Sequence, residues 1–503
     1  MIILGISAGF HDAAVTVIED GNIVFAAHSE RYSKIKNDPF LNQEIINEAL
    51  LFGTPDQIVL HEKNFFKKLR HIRAGAFSAL KEPSTKEWIK QFYPQLVNIP
   101  IKEYWHHETH AAAGVLTSNF DECAVMVIDA IGEFDTATIW HWKNNKLVKK
   151  HSVKYPSSLG LFYSAMTHRV GLKPMEDEYI LMGMAAYGSK DAATFLSYKM
   201  AHDFFSYPEP FHNPRKALKM KKNLHRGISK DIYSEYTDYD IARAAQIQVE
   251  KRVMAYALHA KDITNSRNLV FMGGVALNCV ANSELFRLYD NIHIMPNPGD
   301  AGSSLGAAAL EYFNKTGNKV NWQTPYLGYT IAGNYPIQKA LASLEKNEIF
   351  GVANGSAEFG PRALGNRSLI ADPRGNEIKD RVNSIKQRQM FRPFAPVIME
   401  EFVHEYFEMP NNTISPYMQF VAKCKQPTKF PAIIHHDGTS RVQTVNYEQH
   451  PGLYTLLKEF YKKTGCPMLL NTSLNIKGQP IVNDEHDAEL FAQRYGVTVH
   501  TKD

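Results

Sequence analysis

Cysteine is scarce in this sequence. The 503 residues hold four, Cys123, Cys279, Cys424 and Cys466, widely spaced and with no C-x-x-C pair. That excludes a disulfide scaffold and fits a reducing cytosol, so a cytoplasmic location is expected. No apolar run reaches transmembrane length, so no membrane partner is expected. The N-terminus, "MIILGISAGFHDAAV", lacks a basic leader region and reads as a strand, not a signal peptide. Excess charge is missing too: 56 Lys and Arg against 52 Asp and Glu leave +4, which alone selects no partner. The composition is globular, 44% hydrophobic and 21% charged, in a chain too long for one ordinary core. Two or more domains are expected.

Histidine, by contrast, is locally dense. "EYWHHETHAAAG", residues 103–114, places three histidines in five positions before an alanine run. Alanine favours helix, so the histidines are predicted in a helix's first turn. His106 and His110 are i,i+4 and share a face; His107 and His110 are i,i+3 and can also meet. Either pair could chelate a metal. The pattern is not the zincin H-E-x-x-H, because Glu108 is followed by Thr109 and His110. The plainer alternative is a polar helix start with solvated imidazoles.

The chain also contains a duplication. "IILGIS", "AAVTVIED" and "NIVFAAHS" are three apolar runs, with Asp20-Gly21 as a hairpin turn between the last two. Further on, "CAVMVID", "TATIWHW" and "KLVKKHSV" repeat the series, with Asn144-Asn145 as the turn. The first and second runs are joined by "SAGFHD" in one copy and "AIGEFD" in the other. A repeated three-stranded meander predicts an α/β fold of the actin-like kind, a duplicated ribonuclease-H-like domain whose first hairpin loops carry the chemistry. Helices are predicted in "SLGLFYSAMTHRVGL" and "DIARAAQIQVEKRVMAYALHAKDIT". "NLVFMGGVALNCVANSEL" and "NIHIMPNPGDAGSSLGAAALEYF" each read as strand, small-residue loop and helix. Such loops bring backbone N–H groups and a helix N-terminus close to an anion or nucleotide. Tight helix–strand packing would need the same residues.

"PYLGYTIAGNYP", rich in Gly, Pro and Tyr, marks a boundary placed at residues 330/331. Beyond it the stretch from Glu348 to Pro396 is densely basic on a Gly- and Pro-rich framework. It holds Arg362, Arg367, Arg374, Arg381, Lys386, Arg388 and Arg392. Cations clustered in this way suit phosphates or a nucleotide, the alternative being a solvated charged face.

Together these stretches resemble the NodU/CmcH-type O-carbamoyltransferase family. The matching motifs run through most of the chain: "GISAGFHDAAV", "SERYSKIK", "HHETHAAAG", "VIDAIGE", "EYILMGMAAYG", "GGVALN", "NPGDAGSSLGAA", "SAEFGPRALGNRSLIADPR", "FRPFAP", "DGTSRVQTV" and "NTSLNIKGQPIV". "GPRALGNRS" followed by "FRPFAP" and "NTSLN" is the most specific combination. The resemblance implies residues 1–330 as an actin-like carbamoyl-transfer domain and residues 331–503 as a YrdC-like, twisted open α/β domain that forms a carbamoyl adenylate. It implies carbamoyl phosphate and ATP as substrates, with Mg2+ accompanying ATP, and transfer to an acceptor hydroxyl with release of AMP.

The same resemblance implies the site residues. His106 and His110 match the family's H-x-x-x-H; with Asp129 and Asp300 they form a mixed nitrogen and oxygen set for a divalent metal, iron (Fe2+) in the family. His11, with Asp12 to orient it, is the candidate general base for the acceptor hydroxyl. Gly273, Gly274, Asn278, Gly302 and Ser303 are candidate nucleotide contacts. Arg362, Lys386, Arg388, Arg392 and Arg441, with Asn471 and Ser473, are candidates for carbamoyl phosphate and ATP. Ala130, Ile180 and Gln389 depart from the family's usual residues.

The acceptor is not written in any motif. The basic stretches 213–231 and 64–73, the latter with aromatics beside its cations, suggest a nucleic acid and hence 5-hydroxymethylcytosine in DNA. A small sugar or antibiotic-type alcohol is one alternative, and threonylcarbamoyl transfer to tRNA another. The sequence does not fix the oligomeric state.

Overall fold

The computed structural model describes residues 1–73, 83–205, 227–410 and 413–503. Strands β1 (Ile2–Ser7), β2 (Ala14–Glu19), β3 (Asn22–His28), β4 (Gln57–Leu60) and β5 (Ile101–Glu103) form one sheet. Strands β6 (Cys123–Ile128), β7 (Asp135–Lys143), β8 (Lys146–Lys154), β9 (Asn268–Met272) and β10 (Asn291–His293) form another. Their orders, β3-β2-β1-β4-β5 and β8-β7-β6-β9-β10, are the same, so the duplicated meander read from the sequence is present. The turns explain why. Asp20 and Gly21 have φ of 47° and 86°, and Asn144 and Asn145 have 51° and 54°. Paired left-handed residues match the right-handed twist of a hairpin, and Asp, Asn and Gly adopt them most easily. Leading strands β1 and β6 are almost wholly buried, which is why they read as unbroken apolar runs.

After each meander the pairing turns parallel. β1 pairs β4 and β4 pairs β5; β6 pairs β9 and β9 pairs β10. Parallel strands end together at one edge of a sheet, and ligand sites gather at that edge. The helices His106–Thr117 and Ser303–Thr316 follow β5 and β10. They cross closely at Gly306, where a Cβ would fall 1.9 Å from the Thr109 carbonyl oxygen. The expected helices appear as Leu159–Arg169 and Asp238–Thr264.

The chain divides into two compact units: residues 1–9, 16–22 and 54–321, and residues 10–15, 23–53 and 322–503. The division falls at 321/322, and the second unit takes in two N-terminal segments that the sequence reading assigned to the first domain. The second unit also contains β11 (Tyr326–Ile331), β12 (Phe350–Ala353), β13 (Gly355–Glu358), β14 (Arg367–Ala371), β15 (Ala395–Met399), β16 (Val421–Lys423), β17 (Thr439–Arg441), β18 (Gln443–Val445), β19 (Met468–Ser473) and β20 (Val499–His500). Six of these form a mixed sheet in the order β18-β15-β19-β14-β12-β20. β11 pairs β13 and β16 pairs β17, both antiparallel. The protein is thus a mixed α/β chain of two units. Among the described residues no helix is long and apolar enough to cross a membrane.

Candidate metal centre and anion site

In the first unit four side chains converge. His106 and His110 occupy the first two turns of their helix. Asp129 directly follows β6, and Asp300 opens the short turn that leads into the helix Ser303–Thr316. His106 Nε2 lies 3.1 Å from Asp129 Oδ2 and 3.4 Å from Asp300 Oδ1. His110 Nε2 lies 3.3 Å from each of the same two oxygens. All four residues are buried. Backbone geometry aims Asp129. Its Oδ1 accepts the Ala130 N–H at 2.7 Å and the Gly274 N–H at 3.3 Å, which leaves Oδ2 for the histidines. β6 and β9 must approach closely for this. Gly273 has φ of 90°, and a Cβ there would lie 2.2 Å from the Ile128 carbonyl oxygen.

His106 begins a helix whose N-cap residue, Trp105, supplies no side-chain cap. Glu133 does so from the "AIGEFD" loop, accepting the His106 N–H at 3.1 Å and the Lys63 N–H at 2.8 Å. Burial alone would push the His106 imidazole down, but Asp300 and Asp129 outweigh it and raise it well above the ordinary value. Burial and Asp300 push the Asp129 carboxyl up; the bonds from His106 and His110 win and hold it low. His107 is not the partner of His110. Its ring faces Thr138, with Nδ1 3.0 Å from Oγ1, and burial pushes it well down.

The donor set suits a cation. Ligand atoms about 2.0–2.2 Å from one first-row metal stand roughly 3 Å from one another. Here the separations, including the 3.1 Å between the two Nε2 atoms, run from 3.1 to 3.4 Å. The Nδ1 atoms of both histidines are buried and have no hydrogen-bond partner among the described residues.

Two neighbours escaped the sequence reading. His61 follows β4, and its ring centroid lies 5.3 Å from that of His106. Burial lowers its imidazole to about 4. Nothing in "QIVLHE" marks this histidine; only the parallel pairing of β4 with β1 and β5 carries it to His106. Glu133 was likewise hidden, since a cap from a distant loop has no local signature.

The remaining candidates of this half are scattered in role. His11 Nδ1 and Asp12 Oδ2 are 3.0 Å apart, a bonded pair in the second unit, whereas the four metal candidates belong to the first. Asp12 sits at φ of 51°; burial opposes its charge, yet His11 keeps its carboxyl below the ordinary value. The Asn278 amide is committed to the protein. It exchanges two bonds with Gln246, at 2.9 and 3.0 Å, and accepts the Ala281 N–H at 3.1 Å as a helix cap. Gly302 serves packing, with a Cβ there falling 1.8 Å from the Asn297 carbonyl oxygen. Ser303 Oγ is buried and has no partner among the described residues.

In the second unit the basic stretch separates into two kinds of cation. Arg367 lies wholly buried in β14. Its guanidinium donates to the carbonyls of Asn354, Gly355, Asn366, Tyr329 and Asn483. Arg374 pairs with Asp372 at 2.6 Å, and Arg381 donates to the Asn347 carbonyl at 3.3 Å. These three hold structure. Lys386 is different. It is buried, and its Nζ donates to the Ser473 carbonyl at 2.5 Å, the Asn475 carbonyl at 2.9 Å and Asn475 Oδ1 at 3.0 Å, all neutral groups. Burial lowers its amine well below the lysine range, and Arg388 and Arg392 push the same way. Arg388 lies over the Phe394 ring at 4.3 Å and donates to Asn383 Oδ1 at 2.7 Å. Asn471 donates to the Ala363 carbonyl at 3.1 Å and to Gln443 Oε1 at 2.7 Å, with its own Oδ1 buried and without a partner among the described residues. Arg362, Arg392 and Arg441 are half-buried. Lys386, Arg388 and Arg392 are thus one electropositive cluster with Ser473 beside it.

Of the two basic stretches expected to face a nucleic acid, the described residues cover 64–73 and 227–231. Residues 213–226 lie outside the described residues. In the other stretch Lys67 pairs with Glu62, and Arg70 is buried against the Gly132 carbonyl.

Residues 2–309 match the sequence family described as Carbamoyltransferase N-terminus, and residues 341–500 the one described as Carbamoyltransferase C-terminus. The chain belongs to the carbamoyltransferase family and is a transferase enzyme. It is 32% identical over 577 residues to an uncharacterized protein of Synechocystis, covering 97% of this chain and 93% of that one. It is 34% identical over 413 residues to nodulation protein NolO of Bradyrhizobium diazoefficiens, covering 76% of this chain and 75% of that one. With the 3'-hydroxymethylcephem-O-carbamoyltransferase of Amycolatopsis lactamdurans it shares 27% identity over 531 residues, covering 99% of this chain and 97% of that one. Among solved structures, HypF of T. kodakarensis aligns with a TM-score of 0.35 at 14% identity, over 63% of this chain and 48% of that one.

Proposed function

We propose that the protein is an O-carbamoyltransferase that makes carbamoyl-AMP from carbamoyl phosphate and ATP and passes the carbamoyl group to an acceptor hydroxyl. The observation that carries this is the cluster of Lys386, Arg388 and Arg392, cations gathered with no acid among the groups that perturb Lys386. A buried ammonium flanked by two half-buried guanidinium groups is matched by a ligand's negative charge, and carbamoyl phosphate and a triphosphate both bring it. The second unit then acts as the YrdC-like adenylate former, and the duplicated sheets as the actin-like transfer domain. Water hydrolyses carbamoyl phosphate: its oxygen adds as the bond between the carbamoyl and phosphoryl groups breaks, giving carbamate, phosphate and a proton. A carbamate oxygen bonds to the α-phosphorus of ATP as the bond to pyrophosphate breaks. Arg388 and Arg392 orient and neutralise the phosphates, and Lys386 holds the loop of Ser473 and Asn475 in place.

In transfer, the acceptor oxygen bonds to the carbamoyl carbon and AMP leaves. Asp12 holds His11 at Nδ1, so Nε2 takes the acceptor's proton. His106, His110, Asp129 and Asp300 would hold a divalent metal, iron by family resemblance, which when bound supplies Lewis acidity. An alcohol acceptor is supported by the hydroxymethyl group in the name of the Amycolatopsis relative.

The test is AMP release from ATP that depends on carbamoyl phosphate and on an alcohol. The acceptors would be a hydroxymethylcephem, free sugars and hydroxymethylcytosine DNA, read by mass spectrometry of the products. Arg392→Ala should abolish carbamoyl-AMP formation, and added carbamoyl-AMP should restore transfer. Unchanged carbamoyl-AMP formation by both Arg388→Ala and Arg392→Ala would sink the assignment.

A further inference from the structure

The helix Asn64–Arg73 turns two of its cations onto main-chain carbonyls of the two hairpin loops that the duplication makes equivalent. Lys67 Nζ donates to the Gly9 carbonyl of "SAGFHD" at 3.2 Å. Arg70 Nη1 donates to the Gly132 carbonyl of "AIGEFD". Both side chains are sunk in the protein: that of Lys67 is 13% exposed, and Arg70 is 7% exposed. A cation kept only for solubility would stay in water, because burying it costs solvation. Glu62 offsets the Lys67 charge, and Glu62 and Glu133 face Arg70.

The start of this helix is itself anchored. The Lys63 N–H donates to the Glu133 carboxylate that caps His106. Asn64 donates to Glu103 Oε1 at 2.9 Å and accepts the Thr85 N–H at 3.2 Å. What it holds matters for chemistry. Gly9 is two residues before His11 in the chain. Gly132 packs on the histidine helix, where a Cβ would lie 3.1 Å from His106 Cβ.

The geometry points to Lys67 and Arg70 as positioning residues of the transfer reaction: one helix clamps both loops, Lys67 the loop that runs into His11 and Arg70 the loop that seats His106. For Lys67 this rests on the carbamoyl-transfer reading. For Arg70 it rests on the four-donor cluster alone.

Four variants test it: Lys67→Met, Lys67→Arg, Arg70→Met and Arg70→Lys, each checked for folding by thermal melting. Lys67→Met should lower kcat for transfer about tenfold or more with carbamoyl-AMP formation and the KM for carbamoyl phosphate unchanged, and Lys67→Arg should recover most of the loss. Arg70→Met should weaken iron or cobalt binding about 10- to 100-fold in chelator competition, with Arg70→Lys in between. Should Arg70→Met not fold, Arg70→Lys alone carries that measurement. Equal loss of carbamoyl-AMP formation and transfer in Lys67→Met, or wild-type metal affinity in a folded Arg70 variant, overturns the clamp. A wild-type enzyme that binds metal but makes no carbamoyl-AMP would overturn the functional reading instead, leaving the Arg70 result standing.

Discussion

The Nε2 atoms of His106 and His110 face each other at 3.1 Å, one helical turn apart, with a carboxylate oxygen from Asp129 and one from Asp300 beside both. Two imidazole nitrogens this close cannot both carry protons without repulsion, whereas a shared cation satisfies all four atoms.

Purified protein should therefore contain about one transition metal per chain by elemental analysis, iron foremost. Ligand present at 100 times its Kd stabilises the folded state by about 2.7 kcal/mol, so chelation should lower the melting temperature. His110→Ala and Asp300→Ala should lose the metal and transfer but still form carbamoyl-AMP in the second unit. Wild-type metal content in both variants would place the ion elsewhere.

Arg367 should be indispensable to folding and not to anion binding. Its guanidinium satisfies five carbonyls from separate loops and strands. Arg367→Ala strips donors from buried acceptors, a loss of about 3–5 kcal/mol. Arg367→Lys should rescue poorly, since an ammonium cannot reproduce the planar fork. Soluble yield and chemical denaturation measure both.

Why some of this was legible and some not follows from the range of each signal. The meander copies were legible because apolar runs and left-handed Asp, Asn and Gly turns are local. The H-x-x-x-H helix was legible for the same reason, although choosing His106 over His107 needed the position of Thr138 on β7. His61, Glu133 and Arg70 were not legible, because each depends on the pairing or packing of distant segments. Arg367 stood among the cations suited to phosphates or a nucleotide because nothing local sets it apart from its basic neighbours. Only the sheet order places β14 between β12 and β19 and buries it.

Acid should destabilise the fold through His450. The Nδ1 of this buried ring accepts the Leu453 N–H at 3.1 Å, and its Nε2 lies 2.9 Å from Asn366 Oδ1. Burial lowers it from 6.5 to about 4. Between those values the unfolded chain binds a proton that the folded chain does not. Stability is therefore full above about 6.5 and falls as pH drops toward 4. Replacing His450 with Asn, which keeps a side-chain acceptor for the cap, should flatten the melting-temperature profile over that range. An unchanged slope would mean that other groups carry the acid sensitivity.

Lys386 should reveal the anion site through proton uptake. Its amine is held low by burial and by Arg388 and Arg392, all acting in one direction. A phosphate at the cluster adds the negative charge the protein withholds and so raises the amine's pKa. Between the free and bound values, binding must draw a proton from solution, and affinity must fall as pH rises through the free value. Titration calorimetry of carbamoyl phosphate in buffers of different ionisation enthalpy counts that proton. Lys386→Met should remove the uptake and, by releasing the loop of Ser473 and Asn475, also weaken binding. Proton release, or the same uptake in Lys386→Met as in the wild type, would locate the phosphate away from this lysine.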